Sequence, residues 1–176
     1  MMEKSKVIID GTKRQLFKLV YKNWHHHIPN EFRKIMIAES LNKAVIEKDM
    51  NIHGYLIMES KMILYVELIG EQTKLWKQFY DCFNSTFKAY LYEKEQNGEI
   101  TNVDFGGGIA SFFLTQKLYD KDLELVLTGR KVIKPYHDPN FLKLKAILKQ
   151  TRYCSILDYS GGISPVLVHK TSCNAT

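Results

Sequence analysis

Cysteine and long apolar runs are both scarce in this sequence of 176 residues. Its three cysteines, Cys82, Cys154 and Cys173, are far apart, and no pair has the CxxC spacing of a zinc or redox motif. This odd number, together with the lack of an apolar signal-peptide core at the start, predicts reduced thiols and a cytoplasmic location. Because no apolar run approaches the roughly 18 residues that span a bilayer, the sequence predicts no membrane association.

A phosphate-binding glycine loop is also lacking. The run Gly106-Gly107-Gly108 has neither the Lys-Ser/Thr ending of a P-loop nor the spacing of a dinucleotide fingerprint. The composition is otherwise ordinary, with 45% hydrophobic and 25% charged residues, and excludes a disordered or collagen-like chain.

Acidic residues are too few to balance the basic ones. There are 19 Asp and Glu against 25 Lys and Arg, so the net charge is +6, which permits an anionic partner. Residues 130–152 contain a single acid, Asp138, and alone carry a net +6. Their cations are Arg130, Lys131, Lys134, Lys143, Lys145, Lys149 and Arg152.

The order of the predicted elements indicates an α+β fold. Hydrophobic periodicity predicts strand, helix, strand, strand, helix, an unassigned segment at 99–122, strand and helix. This order predicts a ferredoxin-like antiparallel sheet with helices packed on one face. We expect a flexible N-terminus (1–13), a single domain (14–152) and a C-terminal extension (153–176). The predicted strands are 16–24, 52–58, 62–69 and 123–136, and the predicted helices are 31–49, 71–95 and 139–152.

The segment YLIMESKMIL, residues 55–64, resembles the core motif of the HUH-type single-tyrosine transposases, especially the REP-associated ones. That family has a tyrosine, a methionine three residues later, and then His-x-His-Leu, so Tyr55, Met58 and Leu64 match. Thr128-Gly129-Arg130 resembles the Gly-Arg strand of the family, and the segment 141–148, FLKLKAIL, resembles its last helix. The resemblance covers about residues 14–150 and implies binding of single-stranded or hairpin DNA and a dimeric habit.

The chain departs from the family at the positions that carry the chemistry. Lys61 and Ile63 stand where the family has its two metal-binding histidines, and Ala146 stands where it has its nucleophilic tyrosine. In the family the histidines hold a divalent cation that polarises the scissile phosphate, and the tyrosine attacks it. The resemblance therefore implies a protein that has lost strand cleavage and needs no cofactor.

The basic residues are the candidate nucleic-acid-binding site. Lys145, Lys149 and Arg152 follow i, i+4, i+7 spacing, which predicts one helix face that can track a phosphate backbone, although a solvated face would look the same. Lys61 either neutralises a phosphate or is a solvated hairpin residue. The full predicted set is Lys61, Arg130, Lys131, Lys134, Lys145, Lys149 and Arg152.

Two alternatives remain open. The first is a dimeric protein-interaction module on the same fold without nucleic acid. The second is an active strand transferase that uses His25 or His27, with a divalent metal, and a tyrosine between positions 136 and 153. On a strand, His25 and His27 would point to the same side, while the histidine between them points away.

Overall fold

A computed structural model describes residues 13–99 and 108–170 of the chain. Two short 3₁₀ helices, Asn23–His27 and Ile109–Phe112, accompany the main elements. These elements are β1 (Lys13–Tyr21), α1 (Asn30–Lys48), β2 (Ile52–Ile57), β3 (Lys61–Leu68), α2 (Gln72–Gln96), β4 (Phe113–Leu118), α3 (Lys121–Leu127), α4 (Pro139–Gln150) and α5 (Ile156–Tyr159).

The four strands form one sheet in the order β2-β3-β1-β4, and every neighbouring pair is antiparallel. With α1 between β1 and β2 and α2 between β3 and β4, this is the ferredoxin-like arrangement, which confirms the predicted fold class. The two middle strands are β3 and β1, so the segment with the transposase-like motif supplies both an edge strand and a central strand.

The long helices α1 and α2 cover one face of the sheet, as their periodicity predicts. Phe79, Phe83 and Phe87 of α2 recur every four residues and are buried in a cluster with Phe17 and Leu19 of β1. Gly98, just past α2, has a φ of +69°, a left-handed conformation that glycine adopts without steric cost. The aromatic stripe of α2 is therefore core.

A second layer on the opposite face was not predicted. Leu16 of β1, Leu56 of β2 and Ile63 of β3 are buried in a separate cluster with Leu127 of α3 and Leu148 of α4. These strand residues alternate with those beneath α1 and α2, as period-two side chains must. Helices therefore lie on both faces of the sheet, and not on one face alone as the element order predicts.

The predicted strand at 123–136 is wrong, because residues 121–127 form the helix α3. The Asp120 carboxylate accepts a hydrogen bond of 3.0 Å from the Leu123 amide and so caps this helix. Leu123, Val126 and Leu127 are buried at helical spacing. The Gly-Arg segment follows α3 and lies on no strand, and the fourth strand is β4, within the unassigned segment 99–122.

The residues after α4 pack onto the sheet. Cys154 forms an isolated antiparallel bridge with Leu56 at the free edge of β2, and Cys154 and Ser155 are both fully buried. Farther on, the His169 amide donates a hydrogen bond of 2.7 Å to the Ile52 carbonyl. Lys13 begins β1, while the rest of segment 1–13 lies outside the described residues. In the described ranges, no helix has the length and apolar character needed to cross a membrane.

Candidate nucleic-acid interface

A basic groove of about 670 Å³ lies between α4, the turn after α3, and α5. Four of its lining residues are Arg130, Lys131, Lys145 and Lys149, and in residues 13–99 and 108–170 no Asp or Glu lines it. The other lining residues are Val126, Gly129, Val132, Ile133, Leu148, Ile156, Leu157, Tyr159 and Ser160. The sequence predicts the four cations as binding residues but does not predict that they surround one concave surface.

The charges of the four cations are available to an anionic ligand. Within the described part of the chain, no ion pair reaches any of them. The ammonium of Lys145 lies 4.6 Å from the ring centroid of Phe141, a cation–π contact that positions the side chain without neutralising it. The groove therefore presents four positive charges to solvent.

The wall of the groove toward the sheet is apolar and held in place. The Tyr159 hydroxyl donates a hydrogen bond of 2.7 Å to the His53 carbonyl, which fixes the ring beside β2. Gly129 has a φ of +74°, and a Cβ at this position would lie 2.3 Å from the Tyr159 Cβ. Only glycine lets the turn after α3 approach so closely. Ile133, at the rim, is 90% exposed.

Lys134, one of the predicted binding residues, is part of the fold instead. Its ammonium lies 2.8 Å from an Asp122 carboxylate oxygen and 2.6 Å from an Asp138 carboxylate oxygen. The hydrogen bonds that its ammonium donates to these two carboxylates raise the pKa of Lys134. Asp138 also accepts hydrogen bonds from the Asn140 and Phe141 amides at the start of α4. Lys134 therefore joins α3 to the start of α4, and its charge is already compensated.

Arg152 does not share a helix face with Lys145 and Lys149, so the predicted three-residue stripe is wrong. α4 ends at Gln150, and the chain beyond it turns toward the edge of β2. Arg152 lines a different depression, together with Met58, Ile147 and Tyr153. The i+7 spacing failed because the helix ends before the third residue.

The three positions where the chain departs from the transposase motif lie in different surroundings. Ile63 is 7% exposed, in the apolar cluster with Leu148 of α4. Ala146 is exposed, and a helix turns by about 200° over the two residues to Leu148, so position 146 faces away from the sheet. Lys61 begins β3 and does not line the basic groove.

The histidine run lies on a 3₁₀ helix and not on a strand, so the same-side geometry assumed for His25 and His27 does not apply. The His25 Nδ1 atom lies 2.5 Å from the Lys22 carbonyl oxygen. Within residues 13–99 and 108–170, no group of three His, Cys, Asp or Glu side chains is placed to hold a metal ion. Cys82 and Cys154 are free and buried, while Cys173 lies outside the described residues.

Comparisons with known proteins add no constraint, since no family model, curated protein or solved structure matches this chain. The case for a binding site is therefore made by the geometry of this chain alone. Sequence reasoning missed Tyr159 and the apolar wall because their residues come from α3, α5 and the turn between α3 and α4. Only the fold brings these segments together.

Proposed function

We propose that this protein binds single-stranded or hairpin DNA in the basic groove. The observation that carries the proposal is a set of four cations around one concave surface, Arg130, Lys131, Lys145 and Lys149. Among the described residues, none of them forms an ion pair and no acid lines the surface. Cations in this arrangement attract the phosphate backbone and release its counterions. The resemblance to HUH-type transposases points to the same class of ligand.

The apolar wall favours an unpaired strand over a duplex. In a duplex the base faces are stacked on one another, and the protein meets phosphates and groove edges. A single strand exposes its bases, which pack on apolar and aromatic side chains while the cations contact its phosphates. The half-buried Ile156, Leu157 and Tyr159 provide such a surface between the cations of α4 and those of the turn after α3.

We further propose that binding occurs without strand cleavage by the mechanism of the family. Ile63 has no lone pair for a metal ion and is enclosed by apolar side chains. Ala146 has no nucleophile, and its position points away from the sheet. Position 63 therefore supplies no metal ligand, and position 146 supplies no attacking oxygen.

Fluorescence anisotropy with a labelled oligothymidylate tests the proposal. The variants are Lys149→Glu, in the groove, and Lys143→Glu, an exposed lysine on the same helix that does not line it. We expect the wild type to bind at low salt, Lys149→Glu to bind at least about tenfold more weakly, and Lys143→Glu to stay close to the wild type. Circular dichroism confirms that both variants fold.

Two results would overturn the proposal. One is the absence of binding by the wild type at low salt. The other is an equal loss in both variants, which would mean that overall charge, and not the groove, attracts the strand.

A further inference from the structure

A smaller cleft of about 180 Å³ adjoins the basic groove, between the first residues of β1, the middle of β3 and α3. Arg130 and Tyr159 line both depressions, so the two adjoin at these residues. The remaining lining residues are Arg14, Tyr65, Lys121, Glu124, Leu125 and Thr128. Arg14 comes from the start of the chain and belongs to none of the basic segments that the sequence marked.

The charges of this cleft leave an excess of two positive charges. The Lys121 ammonium lies 3.3 Å from a Glu124 carboxylate oxygen, so these two largely compensate each other. Arg14 and Arg130 form no ion pair with any residue in the described ranges. The two guanidinium groups therefore line the cleft without an ion pair to any described residue, while its one lining carboxylate, Glu124, is paired with Lys121.

The cations of the cleft share its lining with Tyr65 and act electrostatically on the hydroxyl of that residue. Tyr65 lies on the central strand β3, and burial raises the pKa of its phenol, with Glu124 acting in the same direction. Lys121, Arg14 and Arg130 all act on the same hydroxyl in the opposite direction, so all three lie within electrostatic range of it. The phenol is protonated at neutral pH and can donate a hydrogen bond to an anion there.

We propose that this cleft binds a terminal phosphate monoester of the strand that lies in the basic groove. The proposal rests on the proposed function. A phosphate monoester carries a charge of about −1.5 to −2 near neutral pH, which matches the two uncompensated arginines. A guanidinium group binds phosphate oxygens through two parallel hydrogen bonds. A pair of arginines therefore suits a phosphate monoester better than it suits a ligand with a single carboxylate.

The charge of the cleft favours a chain end over an internal phosphate. β1, β3 and α3 contribute residues to its lining, and it adjoins the groove at Arg130 and Tyr159. An internal phosphate is a diester with a single negative charge, which would match only one of the two arginines. A terminal monoester carries nearly two negative charges and matches both.

Competition between three oligothymidylates tests this inference: one with a 5′-phosphate, one with a 3′-phosphate and one with neither. We expect one phosphorylated form to bind wild-type protein about tenfold more tightly than the unmodified form, and the form that does so identifies the end. Arg14→Gln should abolish this preference and leave the affinity for the unmodified strand unchanged. Arg152→Gln, an exposed arginine outside both depressions, should keep the preference.

A milder variant distinguishes the loss of a binding group from a folding defect. Tyr65→Phe removes only the hydroxyl and should reduce the preference for the phosphorylated strand. If all three strands bind the wild type equally while Lys149→Glu still weakens binding, the cleft inference is wrong and the proposed function stands. If no strand binds, both are wrong.

Discussion

The salt dependence of DNA binding gives the sharpest measure of the basic groove. Each phosphate that a cation neutralises releases counterions, so the logarithm of the affinity falls linearly with the logarithm of the salt concentration. For a single strand the slope is about −0.7 for each phosphate contact. Changing Lys145 and Lys149 together to Gln removes two of the four groove cations without adding charge of the opposite sign.

The count of groove cations sets the expected slopes. Four contacts give a slope of about −2.8, which corresponds to a loss of affinity of about 50-fold between 50 mM and 200 mM salt. Two contacts give about −1.4, or a loss of about sevenfold over the same range. The difference between the two slopes depends on the number of contacts and not on the absolute affinity.

Anisotropy titrations at four or more salt concentrations measure both slopes. Lys143→Gln is the matched control, since it removes one exposed lysine of α4 outside the groove and should keep the wild-type slope. Equal slopes for the wild type and the double variant would refute the reasoning. So would a decrease in the control as large per lysine as in the double variant.

The remaining predictions concern the fold and its response to pH. Ser155→Ala leaves buried backbone groups without their partner and should lower the free energy of unfolding in urea by about 1–3 kcal/mol, whereas the exposed Ser160→Ala should have little effect. Burial lowers the pKa of His53, so this imidazole binds a proton more readily in the unfolded chain than in the folded one. Stability should be full above about pH 6.5 and fall as the pH drops toward the folded-state pKa, and His53→Gln should flatten this part of the stability curve. A hydrogen bond from Lys134 lowers the pKa of Asp138, so its contribution should be present above about pH 4 and be lost as the pH falls further. Thermal melts of Asp138→Asn should show a smaller loss in that acidic range, and an unchanged acid profile would contradict the assignment.

The elements with strong, unambiguous periodicity could be predicted from the sequence. α2 repeats a large apolar residue every four positions from Leu75 to Leu91, and no strand pattern competes with it. The hairpin of β2 and β3 is likewise evident from two apolar runs with a short polar connection. Together with β1 and α1, these elements were enough to give the fold class.

The second layer could not be predicted because its local signals point both ways. The run LELVL in α3 has the composition of a strand, and what decides for a helix is the Asp120 cap and the contact of α3 with the sheet. At Gly54 a Cβ would lie 2.9 Å from the Leu127 Cβ, so α3 packs directly on the backbone of β2. This tertiary contact overrides the local preference.

For the candidate site, the sequence predicts where the charges are concentrated but not how they are arranged in space. The concentration of cations after position 129 is visible in the sequence, and four of the seven predicted residues line one groove. The sequence does not show which cations lack an ion pair, because Asp122, the acidic partner of Lys134, lies on another element, α3. The end of α4 likewise decides that Arg152 serves a different surface.

The bridge between β2 and Cys154 has a consequence for how this chain is made. The Tyr55 amide donates a hydrogen bond of 2.9 Å to the Ser155 hydroxyl, which lies 100 residues later in the sequence. At a synthesis rate of about 5–20 residues per second, β2 leaves the ribosome roughly 5–20 s before the segment that covers its edge. During that interval the nascent chain exposes an apolar strand edge, the kind of surface on which polypeptides aggregate and which chaperones bind.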